Sequence, residues 1–258
     1  MMLVYHCYDN LSLISSSLAL FKKMDIVASD SEDFEFYGSN YLLNENQFFL
    51  ANAKNIALAN NRNLAVLEDD AYKNIIFSKT KIDENPNLYN FIESELAKFS
   101  LQYSQDTQIL HLVQILHNNL EVIKTHIKSD FTPFSVAVFG SDSNLCGELG
   151  EILEAIKIKV NFIDTNEFFK IPNKDLALKY SAKCLENALD SGSDFIIANS
   201  MGIYEIFDKQ RKALNKIANR NLGKMPVLFL PQVLLLAFGI RDESSLNLRY
   251  HTFIPDFL

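Results

Sequence analysis

Cysteines, histidines and clustered carboxylates are the side chains of this chain best suited to chemistry, and their spacing limits what that chemistry can be. The cysteines are Cys7, Cys146 and Cys184. Three widely separated thiols make neither a disulfide framework nor a zinc pattern, so they read as free thiols in a reducing compartment. The histidines are His6, His111, His117, His126 and His251. They form no His-Glu-x-x-His run, and His111 and His117, six apart on an expected helix, do not share a face. His251 follows a polar stretch and has the most scope for a role. Glu68, Asp69 and Asp70 follow an apolar run. At the C-terminal edge of a parallel sheet they could meet a divalent cation with Asp9, but the simpler expectation is a solvated acidic loop.

Other catalytic patterns are weak. A serine nucleophile elbow of the Gly-x-Ser-x-Gly type is absent; Gly38-Ser39-Asn40 and Gly140-Ser141-Asp142 only approach it. Residues 136–164 have the strand, glycine turn, helix and strand of a nucleotide site. Their glycines, Gly140, Gly147 and Gly150, lack the tight spacing, and Asp142 and Glu148 would repel phosphate. The net charge of -8 argues against nucleic acid. MMLVYHCYDN reads as a strand and not as a leader, so a cytoplasmic location is expected.

These residues must be positioned by a βα framework. Short apolar runs alternate with helical patterns, which predicts an α/β fold with mainly parallel, Rossmann-like sheets. Strands are expected at 2–8, 64–67, 135–139, 159–163 and 195–198. Helices are expected at 13–23, 51–60, 71–79, 147–156, 175–191 and 203–215. Residues 109–123 read as one strongly amphipathic helix, and 80–107 as a polar stretch broken at Pro86. Residues 226–240, PVLFLPQVLLLAFGI, are nearly all apolar but too short to span a bilayer. They predict a buried strand, Val227 to Leu230, entering a helix that starts at Pro231 and stops at Gly239. Residues 51–75 parallel 180–206, and 4–13 parallel 136–145, each displaced by about 130 residues. The expected organisation is two repeats, 1–128 and 129–258, around a cleft.

PVLFLPQ with Ala237 and Gly239, His251 beyond it, and HLVQILHNNL at 111–120 resemble the heterodisulfide-reductase-B-like family, the cysteine-rich CCG-domain proteins. Members carry two repeats whose Gly-Cys, Cys-Cys-Gly and Cys-x-x-Cys turns hold iron–sulfur clusters. The resemblance implies such turns at Asp9-Asn10 and Gly140-Ser141, at Phe36-Tyr37-Gly38 and Phe168-Phe169-Lys170, and at Glu68/Ala71 and Asn199/Gly202. None is a cysteine. Three scattered thiols cannot supply two thiolate sets, so no cofactor is expected. The large rings of Phe36, Tyr37, Phe168 and Phe169 could fill space left by lost clusters.

The resulting expectation is a degenerate, non-catalytic relative, a structural or regulatory subunit of a respiratory or redox complex. The resemblance implies flavoprotein and iron–sulfur subunits as partners; the acidic charge and the shortness of the apolar runs predict no nucleic acid and no integral membrane segment. Two alternatives stay open. One is a ligand-binding protein or enzyme reusing the vacated cleft, with Asn10, Tyr37, Glu68, Ser141, Asn199 and His251 as its residues. The other is an electron-transfer subunit whose cluster ligands are not the ones assigned.

Overall fold

A computed structural model describes residues 1–6, 11–31, 34, 44–60, 62–139, 143–164 and 173–255. The elements run β1 (Met2–Tyr5), α1 (Leu11–Lys23), β2 (Ala28–Ser29), α2 (Glu45–Leu58), β3 (Asn63–Val66), α3 (Asp69–Glu84), α4 (Pro86–Ala97), β4 (Ile109–His111), α5 (Leu112–His117) and α6 (Leu120–His126). They continue with β5 (Ser135–Phe139), α7 (Ser143–Ala155), β6 (Lys159–Ile163), α8 (Lys174–Asp190), β7 (Phe195–Ala198) and α9 (Met201–Tyr204). A π turn (Glu205–Lys209), α10 (Arg211–Ala218), β8 (Val227–Phe229), α11 (Leu230–Ala237), α12 (Glu243–Leu246) and a 3₁₀ turn (Leu248–Tyr250) follow among the described residues. Among the described residues no helix is long and apolar enough to cross a membrane.

The chain divides into two compact units, Met1–Asn10 with Phe21–Ile115, and Leu11–Leu20 with Leu116–Leu258. Each holds a four-stranded parallel sheet of the same order, β2-β1-β3-β4 in the first and β6-β5-β7-β8 in the second. The registers match: Met2 lies between Ala28 and Asn63 as Val136 lies between Val160 and Phe195. The same βαβ plan is therefore used twice.

The second unit shows why its sequence folds this way. β5, β7 and β8 are buried along their whole length, so they read as continuous apolar runs, as strands covered on both faces do. β6, at the sheet edge, is only partly covered. α11 ends in a Schellman motif: Ile240 N–H donates to the Leu235 carbonyl and Gly239 N–H to that of Leu236, with Gly239 at φ +78°.

Three expectations need correction. Residues 109–123 are not one helix: β4 pairs with β3 through 109–111, and α5 and α6 follow. The stretch 80–107 contains α4, because Asn85 caps it by accepting N–H bonds from Asn87 and Leu88 and Pro86 opens it. The helix expected over 203–215 is broken by the π turn between α9 and α10.

Candidate functional site

The last strand–helix junction of each unit is built on a glutamine. In the second unit the Gln232 Oε1 accepts the Phe229 N–H at 2.8 Å, one half of a capping box at the head of α11. In the first unit the Gln114 Oε1 accepts the His111 N–H at 2.9 Å. Leu64 pairs with Ile109 as Ile196 pairs with Val227, so His111 and Phe229 occupy the same place. Tyr72 and Tyr204 also correspond. Each donates its N–H to the residue that caps its helix, Glu68 or Ser200, and each packs its ring on the strand-end residue.

Around this shared frame the two junctions differ. In the second, the Gln232 amide donates to the Leu246 carbonyl at 2.7 Å and lies 3.0 Å from His251 Nε2. Gln232 is fully buried and all its polar positions are used. Because its Oε1 takes a backbone N–H, its NH2 group faces His251, which makes Nε2 an acceptor and puts the single imidazole proton on Nδ1. Nδ1 is buried and makes no well-aligned hydrogen bond, with the Val227 carbonyl the backbone acceptor on its side. The Tyr204 and Phe229 rings meet the imidazole edge to face at 5.3 and 5.8 Å. Burial holds the His251 pKa below its ordinary value against the pull of Asp208.

The segment carrying His251 is tied down from several sides. The buried Asp208 carboxylate accepts the Thr252 N–H and hydroxyl and pairs with Lys209 at 3.1 Å. Tyr204 and Lys209 both donate to the Tyr250 carbonyl, and the Ser12 hydroxyl donates to that of Asn247. Nearby, the buried Arg211 guanidinium donates to the Phe207, Leu222, Gly223 and Met225 carbonyls and faces the Phe253 ring at 5.2 Å. Burial lowers its pKa to about 10, which leaves it charged at neutral pH. Asp208 and Arg211 escaped the sequence reading, because charged residues in a helical pattern give no sign that a π turn will bury them.

In the first unit His111 is itself buried. Its Nδ1 accepts the Val113 N–H at 3.2 Å, so the proton sits on Nε2, which lies 3.1 Å from an Asp69 carboxylate oxygen without making a well-aligned hydrogen bond. The corresponding residues of the second unit are Phe229, Pro231 and Met201. Proline has no N–H, so no acceptor is needed there. Glu68 and Asp69 are only 2% and 8% exposed, which replaces the expected solvated acidic loop with a buried polar junction. His6 and Asp30 form a second pair at 3.0 Å, at the ends of β1 and β2.

Of the expected site residues, Asn10, Phe36, Tyr37, Gly38 and Ser141 lie outside the described residues, as do Phe168, Phe169 and Cys7. Glu68 caps α3, Asn199 and Gly202 flank the α9 cap Ser200, and His251 lies against Tyr204 of α9. Glu68 has Ser200 as its equivalent, with Asn199 one residue earlier. These positions do not fit an iron–sulfur cluster, for they offer oxygen or no ligand where thiolates are needed. The buried Cys184 thiol points to the Asp164 carbonyl, and burial pushes its pKa up to about 11, which disfavours the thiolate. Among the described residues no cluster of three or more His, Cys, Asp or Glu could hold a metal ion. A cavity of about 680 Å³ does open in the second unit, but it is lined by Phe134, Asp194 and Pro226, which precede β5, β7 and β8. It therefore lies at the N-terminal edge of the sheet, opposite the edge where parallel sheets present ligand sites.

Comparison with known proteins agrees with this framework. Residues 166–252 match the family described as HdrB-like C-terminal domain. The 8-methylmenaquinol:fumarate reductase membrane anchor subunit of Wolinella succinogenes is 24% identical over 219 residues, 77% of this chain and 76% of that protein. The crystal structure of a hypothetical protein from Helicobacter pylori superposes with a TM-score of 0.85 at 26% identity. It covers 100% of this chain, which spans only 52% of that longer chain. The matched residues 166–252 take in α8 to His251 with the Gln232 junction, so it is over this part that the chain resembles the heterodisulfide-reductase-B-like family.

Proposed function

We propose that the chain is a non-catalytic subunit of a respiratory or redox complex, with a structural or regulatory role on the cytoplasmic side. One observation carries this reading. The frame around the last strand–helix junction is built, with Gln232 and His251 buried and bonded, while the positions where the family resemblance puts cluster cysteines hold Glu68, Ala71, Asn199 and Gly202. The scaffold for docking is kept and the means of carrying electrons is not. The relative from Wolinella succinogenes has the name of a fumarate reductase subunit, which supports partners of the same kind: a flavoprotein and an iron–sulfur subunit.

A ligand-binding role is favoured by a different observation, the two acid–imidazole pairs of the first unit, Asp69–His111 and Asp30–His6. Anaerobic purification from the native cell, with iron and sulfide analysis and identification of co-purifying subunits, separates the readings. Trace iron together with stoichiometric redox subunits is the expected result. Several iron atoms per chain would mean an electron-transfer subunit, and an isolated chain with a bound small molecule would favour the ligand reading; either overturns the proposal.

A further inference from the structure

We propose that residues 246–252 are a pH-sensitive strap, latched over the β8–α11 junction by neutral His251 and released when that imidazole is protonated. The latch follows from the orientation of one amide. Gln232 cannot turn over, because its Oε1 holds the Phe229 N–H and its NH2 holds the Leu246 carbonyl. Its remaining N–H is spent on His251 Nε2. A second imidazole proton must go to that same Nε2 and would set donor against donor. The proton already on Nδ1 gains no new partner in exchange, since its one neighbouring acceptor, the Val227 carbonyl, is there in the neutral form too.

The groups that face His251 do not rescue the charged form. Asp208, from the π turn, attracts an imidazolium, but its oxygens already serve Thr252 and Lys209. Glu243, on α12, also attracts it, but its carboxylate accepts the Leu248 and Arg249 N–H groups. Lys209 opposes protonation. Tyr204 from α9 and Phe229 from β8 offer ring edges and faces with no polar group toward it. The Val227 carbonyl also favours the charged form, but it faces the nitrogen that already carries a proton and does not relieve the clash at Nε2.

The pH window follows from linkage. With the strap closed, the His251 pKa lies below its ordinary value of 6.5. Once the strap opens, the imidazole returns to that value and binds a proton more readily. Closure is therefore at full strength above pH of about 6.5 and weakens as pH falls from there through the closed-state pKa. Within that window the opening equilibrium changes by up to about tenfold per pH unit. The strap has no regular strand pairing; side-chain bonds to Ser12, Tyr204, Asp208 and Gln232 and the buried Leu246 and Leu248 side chains hold it, so it can open without loss of the sheet. Opening would uncover Tyr204, Phe229 and Gln232, an apolar surface within the HdrB-like domain.

The test is amide hydrogen exchange from pH 7.5 to 5, corrected for intrinsic rates, on the full chain. Peptides covering 243–252 should lose protection steeply below pH of about 6.5, while those covering β5 and β7 stay protected. His251→Gln keeps an acceptor for Gln232 but does not titrate, and His251→Phe fills the space between the two rings; either should give a flat pH profile. If both variants fail to fold, the ¹⁵N shifts of wild-type His251 serve instead, and they should report the neutral form protonated on Nδ1 above pH 6. Protection in 243–252 that ignores pH, a pH dependence that survives in His251→Gln, or an Nε2-protonated imidazole would each overturn the proposal.

Discussion

The two glutamine junctions form an internal experiment, in which one capping position is used twice with different burial. Gln232→Ala orphans the Phe229 N–H and the Leu246 carbonyl, both deep in the second unit, and strips His251 Nε2 of its donor. Each buried orphan costs about 1–3 kcal/mol, and the deleted carboxamide leaves a small cavity, so a loss of about 3–5 kcal/mol is expected. Gln114→Ala removes one bond, to the His111 N–H, from a half-buried side chain. That resembles the loss of an ordinary cap, about 1 kcal/mol. For a chain of this size each kcal/mol lowers Tm by about 2–4 °C, which separates the two variants clearly. The sequence has no tryptophan, so thermal and urea unfolding are best followed by far-UV circular dichroism. Hydrogen exchange then assigns each loss to its own unit, which matters because two units need not unfold together. Equal destabilisation by the two variants would refute the claim that the Gln232 network, and not merely its cap, holds the second junction.

Two more outcomes follow. Cys184, raised from 9.0 to about 11 by burial, should react with a disulfide reagent at pH 8 at least about tenfold more slowly than an unperturbed thiol, the loss of thiolate outweighing its higher nucleophilicity, and mass spectrometry of the labelled peptides reads this directly. The combined variant Asp69→Met, His111→Phe, Val113→Pro transplants the second unit's solution into the first; unfolding should show stability within about 1 kcal/mol of the parent or above it, and loss of folding would mean that the polar pair is a structural need.

Much of the fold is legible in the sequence because its strands are short apolar runs set between helical patterns. β5, β6 and β7 have the limits read from their apolar runs, and PVLFLPQVLLLAFG signals its strand, helix and glycine stop through Pro231 and Gly239. Residues 109–117 mislead because β4 passes into α5 with no glycine or proline between them. The only marker is Gln114 reaching back to His111, and a helical spacing of apolar residues hides it. Asn85-Pro86 has the composition of a break, yet it is a cap followed by a proline in the first helical turn. At the site, Gln232 and His251 stand out locally, but the burial of Asp69 cannot, since its partner His111 comes from a later strand. The roles of Asp208 and Arg211 depend on a π turn that leaves no periodic trace.

The repeated sheet plan also separates what the fold needs from what it tolerates. Both junctions use a glutamine on the strand-end N–H and a tyrosine ring against the strand-end side chain, so these are folding devices common to the plan. The first unit meets the free N–H of Val113 with His111 and sets Asp69 against the imidazole. The second avoids the problem with Pro231 and places Met201 and Phe229 there. Burying a carboxylate and an imidazole costs desolvation that an apolar pair does not, and the second unit demonstrates that the apolar pair suffices. The polar junction in the first unit is therefore hard to justify by stability alone. If this chain keeps any ligand or partner chemistry, Asp69, His111 and the neighbouring Glu68 are where substitution should weaken binding while leaving the fold intact.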